Sequence, residues 1–344
     1  MTPVRVGLVG TGKFAAHHAA VWRTIPSVRL IGVHGADRQR LDDFAHRTGL
    51  QAVAAYEELV GGADLIDVVS VNQTHADYAM RAIERGKAVL IEKPIDVDVD
   101  KAQALCALAE ARGILGAVVS QLRFQQGFLA IKRLLTQHAL GEVDTSWVCA
   151  CWPRPQEYFA ASGGWRASAG RAGGGALLQQ GIHLIDLLHW WFGEVTEVAG
   201  WDDETTPESV ERSFWGQLRF ANGVRCQLYV TTRQLAADGA WMEVWGARER
   251  VGSDGHRVSG ARLRLRPAEW LARIGARLRR PETTSQLLRR QCLDVLNALE
   301  RGTKPTVTLR DGLRALITAK ALYEAARQGR RVALAASEEL VHRG

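Results

Sequence analysis

Lysine is scarce in this chain: of 344 residues, seven are lysine against thirty-seven arginine, and methionine occurs only three times. Cysteine is sparse and odd in number. Cys106, Cys149, Cys151, Cys226 and Cys292 are scattered, which excludes a disulfide framework and fits buried thiols in a reducing compartment. Cys149 and Cys151 form a Cys-x-Cys pair with no second ligand pair nearby, so no metal site is expected. Long apolar runs are missing too, because charges interrupt each one before it reaches the ~20 residues of a membrane span. The opening Met1-Thr2-Pro3-Val4-Arg5 leads straight into a strand-like segment, without the apolar core of a secretory leader, and a cytoplasmic location is expected.

The net charge of +7 is confined to one place. Between Arg257 and Arg280 eight arginines face a single acid, Glu269, so this stretch carries the whole surplus. Basicity this local is not the footprint of a nucleic-acid binder. Within it, Pro267–Arg280 sets Trp270, Leu271, Ile274 and Leu278 on one helical face and arginines on the other. Such a helix covers a sheet or a neighbouring subunit, or touches a membrane surface; the covering role is the expectation.

Length suits two domains. Over residues 1–120 short apolar runs at Val4–Val9, Val28–Val33, Gln51–Ala54, Ile66–Val71, Ala88–Ile91 and Leu115–Val119 alternate with helical patterns. Six such strands predict a doubly wound α/β sheet of the Rossmann type. Over 121–344 the pattern changes. Helical periodicity at Gly127–His138 and Ala176–Phe192 is followed by strands at Val195–Trp201, Ser213–Phe220, Val224–Thr231, Trp241–Trp245 and Arg257–Arg266, with Phe220-Ala221-Asn222-Gly223 as a hairpin. This predicts an α+β domain with a large, mostly antiparallel open sheet, for substrate binding and oligomerisation. Ten of the eleven tryptophans follow residue 120. Aromatics on such a sheet point to a homodimer or homotetramer.

Three motifs carry chemistry. The first, Gly10-Thr11-Gly12-Lys13-Phe14-Ala15, follows the opening strand and begins a helix. Gly10 permits a tight turn, Gly12 lets a pyrophosphate approach the backbone, and Ala15 allows close helix packing. At the end of the second strand, Gly35 stands where an acid would bind the ribose 2′-hydroxyl of NAD; Ala36, Asp37 and Arg38 follow. Asp37 reads equally as a helix N-cap, and NAD or NADP stays open. The second motif is Glu92-Lys93-Pro94, just past the fifth strand run, at the sheet edge where ligands of such folds bind. Lys93 there can donate a proton to an alcohol or carbonyl oxygen, or is simply a surface lysine. The third runs from Gly173-Gly174-Gly175 through Gln179 and Gln180 to His183 and Asp186. Helical spacing would put Gln179, His183 and Asp186 on one face, with His183 titrating near neutrality. Taken alone, His183 reads as a packed or capping histidine.

Together these motifs, in this order, and the closing Tyr323…Gly329…Val332 segment resemble the Gfo/Idh/MocA family of oxidoreductases over essentially the whole chain. The resemblance implies an NAD(P)-dependent dehydrogenase acting on a CH–OH carbon of a sugar, sugar nucleotide or cyclitol. Lys93 and His183 would flank the reactive carbinol, and the Lys93-Pro94 bond would often be cis. Two departures stand out. Gln179 occupies a position where the family usually has Asp, and the Ser70-Val71-Asn72-Gln73-Thr74-His75 stretch is short; Asn72 and His75 are carried over as cofactor contacts. Gln121, Arg123, Arg154, Tyr158, Trp165, Arg166 and Gln180 join His183 as expected substrate contacts. Their segments look like members that oxidise UDP-linked N-acetyl sugars or their uronic acids, although Tyr158 and Trp165 read equally as loop packing and Arg166 as a structural ion pair. A redox-neutral NAD-using sugar enzyme, or a nucleotide-sensing regulator on the same fold, is the alternative.

Overall fold

The computed structural model describes residues 2–203, 209–233, 238–260 and 281–334. Its first sheet holds β1 (Val4–Val9), β2 (Val28–His34), β3 (Leu65–Val68), β4 (Ala88–Ile91) and β5 (Gly116–Val118) in the order β2-β1-β3-β4-β5. All four pairings are parallel. Each strand is short and apolar because helices cover both faces of a parallel sheet. β3, β4 and β5 are buried at every position. Five strands stand where six runs were expected. Gln51–Ala54 supplies a single bridge, Val33 to Ala52, before the chain turns into the helix Tyr56–Gly62.

The second sheet has eight strands: β6 (Val143–Cys151), β7 (Val195–Asp202), β8 (Ser213–Phe220), β9 (Arg225–Thr231), β10 (Gly239–Gly246), β11 (Arg250–Ser253), β12 (Val258–Ser259) and β13 (Val332–Ala333). Their order is β12-β11-β10-β6-β9-β8-β7-β13, antiparallel except where β6 meets β9. The alternation of buried and exposed residues along β8 is that of a sheet with one covered face. The hairpin forms at the expected place, with Gly223 at φ 90° and its N–H on the Phe220 carbonyl. Of the strand expected at Arg257–Arg266 only β12 falls among the described residues, and the helix expected at Pro267–Arg280 lies outside them.

Two compact units result. One comprises Met1–Gln121, Arg171–Gly173 and Thr284–Leu316; the other comprises Leu122–Gly170, Gly174–Thr283 and Ile317–Gly344. Beyond the expected division at 120, the first unit therefore takes in two later segments, Arg171–Gly173 and Thr284–Leu316, and the helix Thr284–Arg301 of the second packs with the first sheet. Its Leu288, Cys292, Val295 and Leu296 share a core with Val6, Trp22, Leu65 and Leu90. Gln291, fully interior, donates to the Val118 carbonyl at 2.7 Å and accepts the Ser120 N–H at 2.9 Å. Burial of such apolar side chains, at about 1.5–3 kcal/mol each, outweighs sequence distance.

Candidate active site

In the first unit, Gly10 adopts φ 123°, and a β-carbon there would collide with the Val69 carbonyl; only glycine fits. The helix Lys13–Trp22 starts at Gly12 with no side chain capping it, and a β-carbon on Gly12 would meet nothing within 4 Å. Unsatisfied N–H groups at an open helix start are a ready site for phosphate oxygens. Thr11, Lys13 and Phe14 reach solvent, whereas Ala15 is buried against the sheet.

Gly35 is dictated by space, since a β-carbon would press on the Thr11 methyl at 2.7 Å. Ala36 follows at the surface-facing start of the next turn. Asp37 caps the helix Arg38–Thr48, its Oδ1 accepting the Arg40 N–H at 2.9 Å, and Arg38 Nε donates to Asp42 at 2.8 Å. The N-cap reading of Asp37 is thus the one its geometry displays.

Lys93 and Pro94 are joined by a cis peptide bond. Lys93 is half-buried, and its N–H donates to Glu92 Oε2 at 3.0 Å. The loop that follows is held from both sides. His75, buried, spans the carbonyls of Pro94 (2.7 Å) and Ser70 (3.2 Å). Asp96, also buried, accepts the N–H groups of Ala76, Val97 and Asp98. Asn72 donates to the Ala172 carbonyl at 3.2 Å. His75 and Asn72 are therefore engaged in building this loop, a role that their expected cofactor contact did not include. Asp96 was not foreseen, as nothing in Pro94-Ile95-Asp96-Val97 distinguishes it. Gln121, at the end of this unit, has a buried Oε1 with no hydrogen-bond partner among the described residues.

In the second unit the segment after the glycine run begins with a π turn, Leu177–Gly181, before the α-helix Ile182–Phe192. The four backbone N–H groups at its start are all satisfied from far along the chain. Glu211 takes Gly175 N on Oε2 (2.8 Å), Leu177 N on Oε1 (2.8 Å) and Ala176 N on its own carbonyl (2.9 Å). Tyr323 Oη accepts Leu178 N at 3.2 Å and donates to Glu211 Oε1 at 2.7 Å. Side chains at Gly174 and Gly175 would collide with Tyr323 and Glu211. Burial pushes the Glu211 carboxyl up to about 7 against the pull of these donors. Glu211 escaped sequence reasoning because a single acid before a strand carries no signal.

Gln179 is buried, and its amide donates to the carbonyls of Arg166 (3.1 Å) and Gly174 (3.0 Å). Gln180 is buried beside it, and His183 sits edge-on to Trp152 with ring centres 6.4 Å apart. The common face expected for Gln179, His183 and Asp186 requires correction. The π turn interrupts the α-helical spacing between Gln179 and His183, whereas His183 and Asp186 both lie in the α-helix Ile182–Phe192. Asp186 is taken by Arg123 through two bonds of 2.8 and 2.7 Å. Arg123 is 2% exposed, so its guanidinium is part of the interior of this unit, paired with Asp186. The remaining expected contacts cluster. Arg166 stacks on Tyr158 (4.8 Å) and Trp165 (4.5 Å), and Arg154 on Tyr158 (5.4 Å). All four are partly exposed, and neither Arg154 nor Arg166 has a carboxylate partner among the described residues.

The parallel sheet, the open glycine turn and the lysine-bearing strand end define a dinucleotide-binding fold with a second, α+β unit. A family model described as an oxidoreductase family with an NAD-binding Rossmann fold matches residues 4–119, and that family's C-terminal alpha/beta domain matches residues 132–334. The chain belongs to the Gfo/Idh/MocA oxidoreductase family. The inositol 2-dehydrogenase of Rhizobium meliloti (strain 1021) is 24% identical over 346 residues, 96% of this chain and 99% of that protein. Glucose-6-phosphate 3-dehydrogenase of Bacillus subtilis (strain 168) is 25% identical over 189 residues, about half of each chain at 55% and 53%. The WlbA dehydrogenase of Bordetella pertussis, solved with NADH and UDP-GlcNAcA, shares the fold with a TM-score of 0.88 at 22% identity, over 98% of this chain and 99% of that one.

The turn fits the NAD that this fold binds: Gly10 and Gly12 would clear the approach, and the uncapped N–H groups would receive the pyrophosphate. No helix among the described residues is long and apolar enough to cross a membrane, and no group of potential metal ligands occurs among them.

Proposed function

We propose that this chain oxidises, reversibly, a CH–OH carbon of a sugar nucleotide, with a UDP-linked N-acetylhexosamine or its uronate as the substrate class. The observation that supports this most is the pair Arg154 and Arg166, two guanidinium groups that lack carboxylate partners among the described residues and lie against Tyr158 and Trp165. Aromatic faces suit a pyranose ring, and guanidinium groups pair with carboxylate or diphosphate oxygens in a bidentate way. NAD supplies the hydride acceptor when bound. His183 and Lys93 are the proton-handling side chains of the reading: an imidazole can accept a hydroxyl proton, and in reduction a lysine can return one to a carbonyl. Gln179, with its amide held by two carbonyls, orients its surroundings without adding charge.

The test is NAD reduction with a panel of UDP-N-acetylglucosamine, its uronate, glucose 6-phosphate and myo-inositol. Turnover of the UDP-linked compounds supports the reading. Turnover of inositol or the hexose phosphate alone overturns the substrate class, and failure of all four to reduce NAD overturns the reaction.

We also infer that the outer face of the second sheet is covered by another copy of the chain. Trp147, Trp201, Trp215, Trp241 and Trp245 are each 39–56% exposed there, around an apolar hollow of about 880 Å³. An exposed aromatic patch of this kind marks an interface. Five free thiols support a reducing, cytoplasmic setting.

A further inference from the structure

His17 and His18 follow the nucleotide turn, and nothing in their spacing marks either as a chemical residue. His18 is wholly buried, as are Asp67 in β3 and Trp22. Its Nδ1 lies 2.8 Å from Asp67 Oδ2, and its Nε2 lies 3.1 Å from Glu92 Oε1. Trp22 Nε1 donates to the same Asp67 oxygen at 2.6 Å, and the second Glu92 oxygen accepts the Lys93 N–H at 3.0 Å.

A carboxylate only accepts hydrogen bonds, so facing one on each side requires an N–H at both ring nitrogens. A neutral imidazole has one. Moving the extra proton onto Glu92 would leave Asp67 charged and buried, with only neutral donors around it and its Oδ1 lacking a hydrogen-bond partner among the described residues. The cationic ring is the arrangement that compensates both acids. Burial by itself would strip the proton, but Asp67 and then Glu92 outweigh it and raise the imidazole to about 10. Next to it, His17 is pushed down, first by burial and then by the charge of His18.

We propose that His18 is a permanent imidazolium and a positioning residue, clamping Glu92, and through it the Lys93 peptide, to the helix that opens at the nucleotide turn. One buried cation thereby joins three elements: the helix Lys13–Trp22, β3 and the end of β4. The positioning role rests on the reading of Lys93 as the proton donor; the charge state does not. Removing the ring charge leaves two buried carboxylates facing each other, and Glu92 then has no reason to keep its hold on the Lys93 N–H.

Imidazole 15N NMR on the wild-type protein decides the charge state. A histidine ring that keeps both N–H groups up to pH 9 should be seen in the wild type, and its signal should be missing from His18→Gln. All ten neutral at pH 8 would overturn the imidazolium, whether or not the variant folds. Hydrogen exchange at the Lys93 amide decides the positioning: acceleration of tenfold or more in H18Q supports it, and unchanged protection sinks it. On the substrate that turns over in the panel above, H18Q should lose at least tenfold in kcat with KM within about threefold. An unchanged kcat would reduce His18 to a packing residue. Full activity in Lys93→Met would instead remove the donor reading, leaving the NMR result as it is.

Discussion

The carboxylate of Glu211 accepts the backbone N–H of Gly175 at 2.8 Å across thirty-six residues of sequence, and so caps the helical segment that carries Gln179 and His183. Capping groups normally come from the residue that precedes a helix. Here the preceding residues are glycines, with no side chain to offer, and an acid from before β8 replaces them.

Glu211→Gln would present an amide N–H to donors, and unsatisfied buried groups cost about 1–3 kcal/mol each. The carboxyl sits at about 7, above its ordinary range. A raised folded-state pKa means stability that is present at low pH and lost as pH rises through about 7. The shift amounts to on the order of 3 kcal/mol. Melting temperatures measured from pH 5 to 8 should therefore fall more steeply for the wild type than for E211Q. Parallel slopes would contradict the assignment.

Lys93→Met should lower kcat by about 10²–10⁴-fold with little change in KM, as expected for loss of a proton-transferring group. Steady-state NADH formation checks this. A pure KM effect would make Lys93 a binding residue instead.

Gly10→Ala should weaken NADH binding at least tenfold, because the β-carbon meets the Val69 carbonyl at the turn itself. Titration of NADH fluorescence reads this directly. Gly12→Ala, with open space around its β-carbon, should disturb folding less but still obstruct the pyrophosphate.

Arg123→Met leaves Asp186 charged and buried, and such breaks cost about 3–5 kcal/mol. The melting temperature should fall by roughly 10 °C, and Arg123→Met with Asp186→Leu should recover part of it. If Arg123 contacted substrate instead, the single variant would raise KM at unchanged stability.

Trp215→Glu with Trp241→Glu should shift the sedimentation coefficient to that of a smaller assembly while the far-ultraviolet spectrum stays as in the wild type. A wild-type chain that sediments as a monomer at all concentrations would refute the inferred interface.

Much of the architecture was legible because local chemistry carries it. Gly10 and Gly12 after an apolar strand announce the nucleotide turn, since few other residues tolerate that backbone so close to a phosphate. The alternation of buried and exposed residues in Ser213–Phe220 announces a half-covered strand, and Asn222-Gly223 announces its hairpin. Periodicity did not resolve Gln51–Ala54, which has strand-like composition but only one position in register with β2. Nor did it resolve the helix Thr284–Arg301, whose amphipathic stripe states that it must be covered but not by which sheet.

The chain by itself determined the turn, the strands and the types of residue available for proton transfer, because those depend on neighbours within a few positions. Only the tertiary structure decided their partners. It gave Asp186 to Arg123, set Glu211 at the start of the His183 segment, and placed His18 between Asp67 and Glu92. Buried charges choose partners by distance through space, and that distance exists only once the sheets have formed.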